Sequence, residues 1–147
     1  MPAKIEILDF TKPKSWDDDS IPDGIEVVLR PYDSFGDETK AIGTFRFELY
    51  EFQRANTEPK GKRVAFWQED LTTKDAQMRH WDFTRSYRFR LAWTEERIKP
   101  GKYVLEATYI SPSNLRLTDT YIMDAQVPKE QLKENIENKS KSEFKIF

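Results

Sequence analysis

The residues that could do chemistry are few. His80 is the only histidine, and it stands beside Trp81. A histidine acts as a general base when a nucleophile and an orienting acid converge on it. No Gly-x-Ser-x-Gly elbow or comparable nucleophile motif accompanies His80, so it reads as a residue at the edge of a strand or loop. The chain has no cysteine. That removes disulfides, thiolate metal sites and cysteine nucleophiles, and one histidine cannot build a multi-histidine metal site. The expectation is a protein that is not an enzyme and carries no cofactor.

Acidic residues offer two further chemistries. Asp17, Asp18, Asp19 and Asp23 crowd one loop, and hard cations take several oxygen ligands from such loops. The helix–loop–helix calcium spacing is not met. Counting from Asp17, the sixth position is Pro22 instead of glycine, and the twelfth is Val28 instead of glutamate. A solvated loop is the plainer reading. Asp33 and Asp37 fall in the next loop, at the other end of a strand, and should not join the first group. A pair of carboxylates across a cleft could hydrolyse a glycoside. With 26 acidic residues in the chain, some pair meets the spacing by chance, so this is the weakest of the functional readings.

The remaining candidates bind. Trp16 sits in the acidic loop, and Trp67 has the opposite parity from Val64 and Phe66, which turns it outward if those two face a core. An exposed indole beside an aspartate can stack on a sugar ring, although aromatic side chains mainly serve burial. Arg79, Arg85, Arg88, Arg90 and Arg97 crowd one stretch. Arg88 and Arg90 share a strand parity and project from one face. Cross-strand ion pairs with Glu48, Glu51 or Glu106 are the plain account of them; a patch for an anionic partner is the sharper one.

These residues need elements to hold them, and the pattern is of period two. Apolar residues alternate with polar ones in seven short runs: Ile5/Ile7, Ile25–Leu29, Phe45–Leu49, Val64/Phe66, Tyr87–Trp93, Tyr103–Tyr109, and Leu115 onward through Met123. Between them lie turn residues: Pro22-Asp23-Gly24, Asp33 to Asp37, Pro59-Lys60-Gly61, Pro100-Gly101 and Ser111 to Asn114. The inventory predicts an all-β domain over 1–127, two antiparallel sheets packed as a sandwich of about seven strands, with a closed barrel as the competing arrangement. Residues 72–82 have the composition of a turn or two of helix. A short C-terminal helix and tail are expected over 128–147, started by Pro128 and striped by Leu132 and Ile136.

Composition agrees. A chain of 147 residues suits one domain, and 10 Phe, 6 Tyr and 4 Trp supply a large apolar payload. Charged residues are 34% of the chain but sum to −2, so nothing draws the whole molecule to nucleic acid. No run approaches the length of a membrane helix, and no leader is evident at the N-terminus.

Lys99-Pro100-Gly101-Lys102-Tyr103-Val104-Leu105-Glu106-Ala107 resembles the Pro-Gly-x-Tyr-x-Leu-x-Ala start of a late strand in immunoglobulin-like and transthyretin-like sandwiches, and Asp23 to Leu29 resembles their early strand. The chain is also similar to bacterial sandwich proteins, some of them envelope lipoproteins. That resemblance implies export to the envelope or periplasm if a leader has been trimmed, and the cytoplasm otherwise; the lipid-bearing cysteine of such proteins is missing here. It supplies a fold and no catalytic residues. The expected function is an interaction or accessory domain that binds a protein partner through Trp16, Trp67, Arg88 and Arg90. A carbohydrate-binding module is the alternative, a carboxylate-pair hydrolase the third reading, and edge pairing into a homodimer remains open.

Overall fold

A computed structural model describes residues 1–17, 22–54, 57–93 and 98–125. The expected C-terminal helix and the unit 128–147 lie outside the described residues, as do Asp18 and Asp19.

Among the described residues, eight strands and one helix follow in order: β1 (Lys4–Ile7), β2 (Lys12–Lys14), β3 (Gly24–Tyr32), β4 (Thr44–Phe52), β5 (Lys60–Asp70), α1 (Lys74–His80), β6 (Tyr87–Ala92), β7 (Gly101–Ile110) and β8 (Arg116–Ala125). They form two separate four-stranded antiparallel sheets, not a closed barrel. In the first, β3 is central. It carries β6 along one flank, and both β1 and β2 along the other. The second runs β5-β4-β7-β8.

The seven apolar runs all become strands. The eighth strand, β2, has no apolar alternation to announce it. Lys12-Pro13-Lys14 is held by pairing alone, with Pro13 opposite Ile25. It continues the flank that β1 begins, and Thr11 bridges the gap: its Oγ1 accepts the N–H of Val28 at 3.0 Å and donates back to the Val28 carbonyl at 3.4 Å. The side-chain hydroxyl satisfies the Val28 N–H, which a missing strand residue would leave bare, while the Val28 carbonyl also accepts the Leu8 N–H at 2.8 Å.

The inward faces carry the predicted residues. Ile5 and Ile7, Ile25, Val27 and Leu29, and Tyr87, Phe89 and Leu91 come from the first sheet. Phe45, Phe47 and Leu49, with Tyr103, Leu105, Ala107 and Tyr109, come from the second. The sheets interlock through rings: Phe89 lies 4.9 Å from Phe47 and 5.3 Å from Phe45, and Phe45 lies 5.6 Å from Tyr87. Tilted ring pairs at these separations add about 0.5–1.5 kcal/mol each beyond burial.

The helix expected over 72–82 is α1. Thr73 caps it by accepting the Ala76 N–H, Asp75 sits in its first turn, and Arg79 and His80 sit in its last. Both charge placements suit the helix dipole. Its Gln77 is drawn into the end of the sandwich. The side-chain amide donates to the carbonyls of Ala41 and Leu71, and its Oε1 accepts the Tyr87 hydroxyl at 2.5 Å.

Candidate functional site

The outer face of the first sheet brings together most of the residues singled out from the sequence. Its centre is Glu26 on β3, a carboxylate only 4% exposed. Inward residues of β3 alternate with Glu26, so it points away from the core, and four cations stand on the flanking strands beside it. Lys12 of β2 and Arg90 of β6 stand directly opposite on either side. Lys14 and Arg88 reach it diagonally, Lys14 Nζ to Oε2 at 3.2 Å and Arg88 Nη1 to Oε1 at 2.7 Å. Burial works to raise the pKa of Glu26, but hydrogen bonds and charge from Lys14 and Arg88 outweigh it and hold the group below the ordinary glutamate value.

Arg88 also reaches Asp82, its Nε 3.4 Å from Oδ2. Its partners are thus Glu26 and Asp82, not the Glu48, Glu51 or Glu106 expected from sequence, because β6 pairs with β3 while those glutamates belong to the second sheet. Asp82 opposes burial with bonds from Thr84 and Arg88 and is likewise held below its ordinary value.

Trp16 closes this face at one end. The Arg90 guanidinium lies 5.9 Å from its ring. The indole settles onto the strand because Gly24 has no side chain: a Cβ there would stand 2.6 Å from Cη2 of Trp16 and collide with the Leu91 carbonyl. Asp23 holds the loop, accepting the Trp16 N–H at 2.9 Å and the Ser15 hydroxyl at 3.4 Å, while Ser15 also donates to Asp17 at 2.9 Å. These carboxylates act as loop acceptors, and among the described residues no group of three or more His, Cys, Asp or Glu is placed to hold a metal ion.

The other end of the face carries apolar tips that the sequence reading passed over. Phe83, before β6, is 95% exposed, and Phe35, in the turn after β3, is 89% exposed. The two loops are tied together: Arg85 Nε meets Glu38 at 3.0 Å, and Arg30 donates to the Thr84 carbonyl at 3.0 Å. The available signal was an aromatic lying inside a polar turn, as in Asp82-Phe83-Thr84 and Asp33-Ser34-Phe35. Glu26 and the two lysines of β2 were missed because a lone charge within an apolar strand gives no pattern of its own.

Trp67 does not join this surface. It stands opposite the core residue Phe47, half-buried, 5.9 Å from the Trp93 ring, and its Nε1–H donates to the Ala92 carbonyl at 2.7 Å. The parity of β5 is therefore the reverse of the sequence reading: Val64 and Phe66 face outward and Trp67 inward.

Among the described residues, the one pair of carboxylates facing each other across strands is Glu48 of β4 opposite Glu106 of β7 in the second sheet. Each has its own cation, Arg63 on Glu48 and Lys60 on Glu106, both at 2.9 Å. Burial pushes Glu48 up, but bonds from Arg63 and Tyr50 hold it below the ordinary range. Glu48 thus serves as an acceptor for the Arg63 guanidinium and the Tyr50 hydroxyl.

No protein-family model matches the chain, and a search of the curated proteins finds no match. No helix among the described residues is long and apolar enough to cross a membrane.

Proposed function

We propose that this chain is a non-enzymatic interaction domain that docks an acidic segment of a protein partner on the β3–β6 face. The observation that carries the reading is the charge imbalance at Glu26, where Lys12, Lys14, Arg88 and Arg90 surround one buried carboxylate. Two of the cations are held in place by Glu26 and so lose little freedom on binding. Arg90 and Lys12 are exposed and add the surplus charge that draws and orients an acidic partner. Phe83 and Phe35 supply apolar anchors at the rim, the residue type that dominates interface energies when a partner covers it. The two four-stranded antiparallel sheets support grouping the domain with immunoglobulin-like or transthyretin-like sandwiches. A carbohydrate-binding reading would rest on Trp16 alone.

Fluorescence anisotropy with a labelled peptide of alternating Glu and Leu tests the proposal. Binding should weaken as salt rises and drop sharply when Arg90→Gln and Lys12→Gln are combined. Equal binding by that variant, or binding indifferent to salt, would overturn it.

A further inference from the structure

Two turns at one end of the sandwich display phenylalanine on a fixed frame. Across residues 33–38, the Asp33 N–H donates to the Asp37 carbonyl at 2.8 Å, and the Asp33 side chain accepts the N–H of Phe35 at 2.9 Å and of Asp37 at 3.0 Å. Gly36, at a φ of 84°, supplies the left-handed step that closes the turn. Across residues 82–86, the Asp82 N–H donates to the Ser86 carbonyl at 3.0 Å and the Arg85 N–H to the Asp82 carbonyl at 3.1 Å. The Asp82 side chain accepts the Thr84 N–H at 2.9 Å. Arg85 sits at a φ of 60°, which a non-glycine residue keeps only where its surroundings fix it.

Both turns are fastened to the sheet and to each other. Arg30 and Arg88, on the outer face of the first sheet, hold Thr84 and Asp82 on either side of Phe83. Arg85 joins the turns, its Nε 3.0 Å from the Glu38 carboxylate and its Nη2 donating to the Glu38 carbonyl at 3.2 Å. Phe35 and Phe83 project from this frame almost wholly exposed. They are knobs, not the walls of a groove, so their complement is concave. A frame already ordered loses little freedom when the rings are buried.

Charge selects the kind of cavity. Residues 33–38 and 82–86 carry four carboxylates, Asp33, Asp37, Glu38 and Asp82, and one cation, Arg85. Arg85 is taken by Glu38, and Arg88 is shared between Asp82 and Glu26. No described cation forms a salt bridge with Asp33 or Asp37. The Lys40 ammonium lies over the Trp81 ring at 5.6 Å, and that of Lys4 over the Tyr32 ring at 5.6 Å. An anionic bilayer attracts basic segments and repels an acidic rim, whereas a pocket edged by Lys and Arg attracts it. We propose that Phe35 and Phe83 insert into an apolar pocket with a basic rim on a folded protein partner. The inference rests on the function proposed above and deepens it. The partner's acidic segment meets Lys12 and Arg90, its basic-rimmed pocket meets the two phenylalanines, and the opposite signs fix how the two proteins are oriented.

Cyclodextrins reproduce that chemistry without the partner, because each is an apolar cavity whose rim can carry either charge. The isotope-labelled full chain is titrated with neutral β-cyclodextrin, its amino derivative and its carboxymethyl derivative, and the amide shifts are followed by NMR. Shifts should centre on residues 33–38 and 82–86. The amino host should bind tightest and the carboxymethyl host weakest, and salt should erase the difference. Phe35→Ser combined with Phe83→Ser should abolish binding of all three. Asp37→Asn should narrow the spread between the charged hosts and leave the neutral host unchanged, since the bonds that shape this turn use the Asp33 carboxylate and only the backbone of Asp37. Lys12→Gln combined with Arg90→Gln should leave host binding intact, so a failure of the acidic-segment reading registers in the peptide anisotropy alone. A carboxymethyl host that binds as well as the amino host, or shifts centred elsewhere, would overturn the proposal. So would co-sedimentation with phosphatidylserine–phosphatidylcholine vesicles that the double phenylalanine variant loses, which would make lipid the occupant.

Discussion

Arg88 and Glu26 meet at 2.7 Å as diagonal neighbours, while Arg90, not Arg88, is the residue directly across the ladder from Glu26. The diagonal reach lets one buried carboxylate hold Arg88 and Lys14 from opposite flanks of β3. Arg90 is left free to lie over Trp16.

That arrangement sets a pH dependence. Glu26 titrates below its ordinary value of 4.5 when folded. A group whose folded pKa is depressed stabilises the native state above the unfolded pKa, and the contribution disappears as pH falls through the folded value. Urea denaturation between about pH 6 and about pH 3 should therefore show a smaller acid-induced loss for Glu26→Gln than for the parent chain. Glu48 and Asp82 shift in the same direction, so the loss shrinks without vanishing. At neutral pH the variant should cost about 1.5–3 kcal/mol, the range for hydrogen bonds to charged groups.

Arg90 and Lys12 should behave differently. Neither is needed to satisfy Glu26, which Lys14 and Arg88 already reach. Arg90→Gln should cost about 0.5–1 kcal/mol through its contact with the Trp16 ring, and Lys12→Gln about 0.5 kcal/mol or less. Peptide binding should nevertheless fall with each. Phe83→Ser should leave the melting temperature near that of the parent while weakening binding. Thermal melts and anisotropy titrations on the same preparations separate the two effects. A loss of binding that tracks a loss of stability would sink the assignment.

The alternation in β3, β4, β6 and β7 exposed the two-sheet core in the sequence, because a period of two has one physical cause when one face is wet. The turn at Ser111 to Asn114 was equally legible: Ser111 N–H bonds Leu115 O, and Asn114 adopts a φ of 70°. β5 misled for a reason that its partners reveal. It is an edge strand: Val64 and Phe66 stand half-exposed on its outward face beside Arg63 and Gln68, while Ala65 and Trp67 lie opposite the core residues Leu49 and Phe47. Alternation reports that two faces differ, not which one is buried. For the site, the shared face of Arg88 and Arg90 was legible. Their partner was not, since it depends on strand order, which local pattern does not encode.

Thr11 joins β1 to β2, and the prediction there concerns one backbone group. Thr11→Val keeps the shape but removes the acceptor for the Val28 N–H in a site where both residues are buried. An orphaned buried donor costs about 1–3 kcal/mol. Thr11→Ser keeps the oxygen and should cost less. Chemical denaturation of the pair, with amide exchange at Val28, checks the order. Equal destabilisation by both would assign the effect to the methyl group instead.

Tyr87 anchors the opposite end through its hydroxyl, and its removal should be felt in three elements at once. The oxygen accepts the Ala41 N–H at 2.9 Å and donates to Gln77, whose amide in turn holds the carbonyls of Ala41 and Leu71. Burial is the first cause raising the Tyr87 pKa, opposed by its bonds to Ala41 and Gln77, so the group stays neutral and serves as both donor and acceptor through the physiological range. Tyr87→Phe preserves the ring contacts with Phe45 and Trp81 and strands the Ala41 N–H. The expected cost is about 1–3 kcal/mol, and Gln77 loses the contact that fixes its side chain. Amide exchange should therefore quicken at Ala41 and along α1 while β7 and β8 stay protected. A uniform rise in exchange across both sheets would mean that Tyr87 acts through general core packing, and the local account of its hydroxyl would fail.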